Sequence, residues 1–320
     1  MYRTILVPLD GSAFGEHALP LALSIARRTA ASVELVHVHT PARNAIDIPP
    51  ATPPAGLSRE RAISYLTQLA ECLSPRWEVP ISVAVLDGRA ADELYTHAIA
   101  AGADLVVMTT HGYGPLSRMW MGSVADKLVR WLPMPIVLTR PHEEALDLLE
   151  QVRDRVFEHI LIPLDGSTLA EEILEPALAL GVPMGARYTL LQAITPPVLG
   201  YAPAAYAVGL DDQMLEQWRA EGQAYLDHTA DRIRGLGHQA DTRICIAPTA
   251  FAILDYARDH SVDLIALATH GRGSLTRMLL GSVADKVVRG ASTPVLLQRP
   301  SAEKADQPKA NEAALEDVKK

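Results

Sequence analysis

The sequence predicts an α/β protein built from two similar domains, each a doubly wound five-stranded parallel sheet with flanking helices. Three observations carry this. The first is a repeat: Ile5-Leu6-Val7-Pro8-Leu9-Asp10-Gly11-Ser12 returns as Ile160-Leu161-Ile162-Pro163-Leu164-Asp165-Gly166-Ser167, and residues 110–141 return as 269–300 with 19 of 32 positions identical. The offsets, 155 and 159 residues, are those of whole domains rather than of short solenoid units. The second is alternation, in each copy, of short apolar runs with longer stretches whose apolar residues recur at helical spacing, as in parallel strands joined by crossover helices. The third is that the runs are too continuously apolar to leave one face in water, so helices must cover both. With 320 residues, 48% of them apolar, the chain can bury two cores of ordinary size.

In the first copy the β-branched and leucine run 4–9 is a strand ended by Asp-Gly-Ser, and 16–28 has helical periodicity with Ser12 as its expected N-cap. Strand 32–39, helix 57–73, strand 81–86, helix 91–101 and strand 104–109 follow, then a short helix 124–131 and a last strand 136–139. The second copy repeats the order: strand 160–164, helix 169–180, strand 188–193, helix 213–236, strand 241–246, helix 250–259, strand 263–268, helix 283–289 and strand 295–298. Proline-rich loops interrupt both copies after their second strands, at 41–54 and 196–209, a length associated with lids or partner contacts. The domains are expected at 1–142 and 158–300, joined by a helical linker over 143–157 and followed by a charged, alanine-rich tail, 301–320, expected to be disordered.

A net charge of −9 argues against general affinity for nucleic acid or an anionic membrane. The N-terminus lacks the apolar core of a signal peptide, and the long uncharged stretch 188–210 is broken by Pro196, Pro197 and Pro203, so it reads as strand and loop. Cys72 and Cys245 have no second cysteine nearby and read as unpaired buried thiols of a cytoplasmic protein.

The repeated C-terminal block carries the chemistry. Gly112, nine residues and Gly122-Ser123 return as Gly271, nine residues and Gly281-Ser282, each time between the end of a parallel strand and a helix beginning at Val124 or Val283. Open α/β sheets bind ligands outside the carboxyl ends of their strands, and glycine lets backbone N–H groups approach phosphate while the helix start adds unpaired donors and a partial positive charge. Ser123 and Ser282 can cap the helix or donate a hydroxyl to a phosphate; the bland alternative is a tight turn with a serine N-cap. Asp10 and Asp165, ending the first strands, can accept hydrogen bonds from an adenine amino group or a ribose hydroxyl, or can cap the next helix. A Walker A motif is absent, and His37 and His39 point to opposite faces of a strand and make a poor metal pair. His111 and His270, beside the loop, read as structural hydrogen-bonding groups of the loop backbone more readily than as proton carriers. Arg118 and Arg277 inside the loop are phosphate contacts or ordinary surface charge.

Taken together, the strand-Asp-Gly-Ser opening, His37-Val38, Ala103-Asp104-Leu105-Val106-Val107-Met108, Thr110-His111-Gly112 and Gly122-Ser123-Val124-Ala125-Asp126 resemble the universal stress protein family, over about 2–140 and again over about 158–300. The resemblance implies Rossmann-like, adenine nucleotide α-hydrolase-like domains paired about a pseudo-twofold axis. In one branch of the family it also implies ATP, with Mg²⁺, between the first and fourth strands. That branch has the pattern glycine, two residues, glycine, nine residues, glycine, Ser or Thr. The second and third glycines map to Gly112 and Gly122, and to Gly271 and Gly281, but Thr109 and Ala268 replace the first. The adenine-side contacts map to Asp10, Val38 and Met108 in the first copy and to Asp165, Ala193 and Leu267 in the second, which has the smaller floor.

Three functions compete. The first is a regulatory stress-response module binding ATP or a related adenine nucleotide, with slow hydrolysis at most. The second is a member of the same fold that binds no nucleotide and acts on proteins through its edge strands 136–139 and 295–298. The third is an enzyme of the related α-hydrolase class, which is weakest because no carboxylate pair or nucleophile dyad repeats in both copies. The matching ends of the last strands, Leu138-Thr139-Arg140-Pro141 and Leu297-Gln298-Arg299-Pro300, predict that the two domains pack through these strands within one chain, a homodimer being a further option.

Overall fold

The computed structural model describes residues 1–40, 57–110, 121–141, 154, 156–195, 212–270 and 280–300. The expectations for both proline-rich loops, for nearly all of the linker helix and for the tail lie outside the described residues. The first half contains strands β1 (Thr4–Pro8), β2 (Ser32–His39), β3 (Ile81–Asp87), β4 (Leu105–Thr109) and β5 (Ile136–Thr139), with helices α1 (Leu19–Thr29), α2 (Arg59–Trp77), α3 (Ala90–Ala100) and α4 (Ser123–Trp131). The second half repeats it with β6 (His159–Pro163), β7 (Arg187–Ile194), β8 (Ala240–Ile246), β9 (Leu264–Ala268) and β10 (Val295–Gln298). Its helices are α5 (Thr168–Glu171), α6 (Leu174–Gly181), α7 (Asp212–Gly235), α8 (Thr249–Asp259) and α9 (Ser282–Gly290).

All ten strands form one sheet in the order β3-β2-β1-β4-β5-β10-β9-β6-β7-β8. Every neighbouring pair is parallel except the central one: β5 and β10 run antiparallel, with Ile136 opposite Leu297 and Leu138 opposite Val295. The reading of 136–139 and 295–298 as edges free for partners is therefore corrected, because each satisfies the other's ladder and the sheet's open edges are β3 and β8.

Strand alternation builds the two faces. Ile5 and Val7 point to one face and Leu6 to the other, all of them buried, and each such side chain contributes about 1.5–3 kcal/mol by leaving water. One face is covered by α1, α2, α6 and α7, the other by α3, α4, α8 and α9, so both halves are doubly wound and share continuous cores. Polar ties cross the seam: Tyr2 donates its hydroxyl to the Pro176 carbonyl at 3.1 Å, Gln298 its amide to Pro133 at 3.2 Å, and Arg299 its guanidinium to the Trp131 carbonyl at 3.2 Å. Arg27 and Arg28 of α1 both pair with Asp154.

Two helices differ from the sequence reading. The segment 16–28 divides into a 3₁₀ turn, Gly15–Ala18, and α1, so Ser12 caps the turn, accepting the Gly15 N–H at 3.1 Å, and not α1. The segment 169–180 divides into α5 and α6. Proline explains both, because Pro20 and Pro176 lack the N–H that an unbroken helix would donate to Glu16 and Glu172. The expectation of buried thiols is also corrected: Cys72 is exposed on α2 and Cys245 half-buried on β8, both unpaired.

Candidate functional site

In each half the strand order reverses between the first and fourth strands, so β1/β4 and β6/β9 are the topological switch points, outside whose strand ends open α/β sheets bind ligands. Asp10 and Asp165 stand there in identical turns. The Asp10 carboxylate Oδ1 accepts the Ser12 N–H at 2.9 Å and the Ser12 hydroxyl at 2.6 Å; Asp165 accepts those of Ser167 at 2.8 and 2.6 Å. The intervening glycines take positive φ, +84° at Gly11 and +81° at Gly166. Each aspartate thus closes its own turn through Oδ1. Gly15 follows from it in the first half, since a Cβ there would stand 2.7 Å from Asp10 Oδ1.

The remaining wall positions arise from strand alternation. Val38, beside Leu86, and Ala193, beside Cys245, stand near the ends of β2 and β7 and pack on the α3/α4/α8/α9 face. Met108 and Leu267 are buried under the same face as the floors of β4 and β9. Thr109 is buried at the end of β4, and Ala268, half-buried, ends β9. Gly112, Gly271, His111, Arg118 and Arg277 lie outside the described residues.

The base of each loop is pinned. Gly122 donates its N–H to the Thr110 carbonyl at 2.8 Å, and Gly281 donates to Thr269 at 2.9 Å. A Cβ on Gly281 would sit 2.6 Å from that carbonyl oxygen, so glycine is required by a close backbone approach, at an ordinary φ of −58°. Gly122 and Gly281 are themselves the N-cap residues, with no side-chain cap, and Ser123 and Ser282 are exposed first residues of their helices. The reading of these serines as caps is thereby corrected; their hydroxyls face outward beside first-turn N–H groups of α4 and α9. Val124 and Val283 pack against the core. The repeated aspartate of Gly-Ser-Val-Ala-Asp-Lys pairs within its own helix, Asp126 with Arg130 at 2.8 Å and Asp285 with Arg289 at 2.8 Å. His37 donates Nδ1–H to the Leu9 carbonyl at 2.8 Å, and His39 meets Asp87 at 3.0 Å. His270 Nδ1 lies 2.9 Å from the Thr269 hydroxyl.

Sequence reading missed a second repeated contact. Tyr65 of α2 donates its hydroxyl to Glu16 Oε1 at 2.7 Å, and Tyr225 of α7 donates to Glu171 at 3.1 Å, where Arg232 also binds at 2.9 Å. Burial and the neighbouring Glu171 push the Tyr225 hydroxyl pKa up, so it remains a donor. Glu16 and Glu171 share the offset of the first block, but the tyrosines are 160 residues apart, and that change of offset hides the pair. In the second half a cleft of about 850 Å³ opens beside this pair, between the end of β7 and α7, lined among others by Asp165, Gln192, Ala193, Thr195, Trp218 and Tyr225. No cluster of three or more metal-ligating side chains occurs among the described residues, and among them no helix is long and apolar enough to cross a membrane.

The two doubly wound halves of one sheet, each with its switch point between its first and fourth strands, make this a Rossmann-like α/β protein. The family model of the universal stress proteins matches residues 1–140 and again 157–299, and the chain belongs to that family. A universal stress protein of Mycolicibacterium smegmatis is 26% identical over 313 residues, covering 92% of this chain and 97% of its own. One from Methanocaldococcus jannaschii is 30% identical over 145 residues, 45% of this chain and 83% of its own. The crystal structure of a universal stress protein from Archaeoglobus fulgidus shares the fold, with a TM-score of 0.68 at 17% identity, covering 93% of this chain and 98% of that one.

Proposed function

We propose that the chain is a regulatory stress-response module that binds ATP or a related adenine nucleotide at its switch-point crevices, with slow hydrolysis at most, as a cytoplasmic protein. Its two domains, 1–142 and 158–300, act as a pair joined through β5 and β10, and any homodimer would form along the open edges β3 or β8. The observation that carries this reading is the cleft of about 850 Å³ between the end of β7 and α7, bordered by Asp165 and Ala193, a volume suited to a nucleotide-sized ligand. In its own half, each of the starts of α4 and α9 offers first-turn N–H groups to a phosphate, at Ser123-Val124 and Ser282-Val283. Gly112, Gly122, Gly271 and Gly281 complete the family's pattern apart from Thr109 and Ala268. Mg²⁺ would ride on the phosphates and water, because the described residues supply no ligand cluster of their own.

The competing reading, an interaction protein without nucleotide, draws support from Gly281, whose requirement is already explained by Thr269. Titration calorimetry of the full chain with Mg·ATP, ADP and AMP separates them. Saturable heat at sub-millimolar ligand is expected. No heat with any of the three, together with an unchanged melting temperature, would favour the interaction protein.

A further inference from the structure

Resting on the nucleotide reading, we propose that the two halves are unequal and that the β7–α7 cleft of the second half is the base pocket, with Trp218 as stacking platform and the Gln192 amide reading the edge of an adenine ring. The internal repeat supplies the comparison. Aligned through Tyr65 and Tyr225, Ser58 and Ala62 of the first half correspond to Trp218 and Gly222 of the second, and the strand position of His37 corresponds to Gln192.

In the first half these positions serve the fold. His37 is fixed on the Leu9 carbonyl, Ser58 caps α2 by accepting the Arg61 N–H at 3.4 Å, and Ala62 is buried. In the second half all three line the cleft. Gln192 Oε1 is closed off from solvent and has no donor, an arrangement that native interiors rarely leave unfilled. It lies against the bare backbone of Gly222, where a Cβ would stand 2.8 Å from Oε1 and 3.0 Å from Ile244 Cδ1. A glycine in the middle of a 24-residue helix is unfavourable for the helix, and here it lets α7 close onto Gln192 and Ile244, holding the Gln192 amide at the cleft. Trp218 and Tyr225 lie one above the other at a helical spacing of seven, both on the cleft.

The chemistry selects the occupant. Trp218 offers a flat face to a planar ring. Asp165 and Glu221 on the lining disfavour an anion inside the cleft and suit an exocyclic amine. A rotated Gln192 amide presents one acceptor and one donor, the pair that matches adenine N6–H₂ and N7. The base therefore enters and the phosphates stay outside, toward the first turn of α9.

The test uses the full chain with AMP and IMP, which differ in that amine. Wild type should bind AMP more tightly. Trp218→Ala should weaken AMP binding about 5- to 150-fold, the range for a lost base–aromatic stack. Gln192→Leu should narrow the preference for AMP over IMP. Photolabelling of wild type with 8-azido-AMP, which depends on no variant, should mark the peptide 212–225. If AMP binds but both variants stay within about twofold of wild type, or the label falls only in the first half, the cleft assignment is overturned and the nucleotide reading stands. If wild type binds neither nucleotide, both fail together.

Discussion

Replacing Gly281 by alanine tests why the glycine recurs. The new Cβ would meet the Thr269 carbonyl oxygen at 2.6 Å, closer than such contacts tolerate, and the neighbour is backbone that cannot swing aside. Relief requires the strand end and the helix start to separate, lengthening the 2.9 Å bond from the Gly281 N–H to that same carbonyl. Forcing an extra methyl into a packed site costs about 1–3 kcal/mol, and losing one hydrogen bond adds about 1 kcal/mol. Reduced freedom of the unfolded chain returns about 0.4–1 kcal/mol. The net loss is about 1–3.5 kcal/mol, or roughly 3–12 °C in melting temperature for a unit of this size. Scanning calorimetry of Gly281→Ala beside Ser282→Ala provides the comparison, since Ser282 is exposed and caps nothing, and its loss should stay within about 0.5 kcal/mol. A Gly281→Ala protein melting within about a degree of wild type would refute the close-approach argument and return the glycine to a role in ligand binding.

Acid should act through His159. Its Nδ1 faces the His260 carbonyl at 3.1 Å and so carries the proton, leaving Nε2 to accept the Thr189 hydroxyl at 2.8 Å. Burial is the main cause of its lowered pKa. A base whose folded pKa lies below its unfolded value of about 6.5 binds fewer protons when folded, so its contribution is full above that pH and is lost as pH falls below it. Urea midpoints of wild type should therefore drop between about pH 7 and 5 more steeply than those of His159→Gln, and parallel profiles would exclude the effect. The seam makes a further prediction: halves expressed as 1–142 and 158–300 expose β5 or β10 as an unpaired edge, and should associate with each other or with themselves in sedimentation velocity. Monomers at high concentration would argue against this pairing in solution.

The strands were legible because apolar runs have a local cause. The run 136–139 coincides with β5, and 4–9 overshoots β1 by one residue. Helix starts were less so, since Pro20 and Pro176 each suit a first turn and also forbid a bond to the turn before it. At Gly122-Ser123 two adjacent residues are both good caps, and only the Thr110 carbonyl decides in favour of glycine. The placing of a site between the first and fourth strands came from the family resemblance, since strand order is set by long-range pairing that no local pattern encodes. The Tyr65–Glu16 and Tyr225–Glu171 contacts, by contrast, join residues 49 and 54 apart in sequence, a separation no local pattern encodes.

The antiparallel meeting of β5 and β10 has an electrostatic consequence. It turns the carboxyl ends of the two sets of strands to opposite rims of the sheet, and four interstrand spacings, about 19 Å, separate the two switch points laterally. Physiological salt screens exposed charges beyond about 8 Å. Two polyphosphates, one in each crevice, would be almost invisible to each other as charges. Any communication between them has to be mechanical, carried by the shared sheet and not by repulsion through solvent.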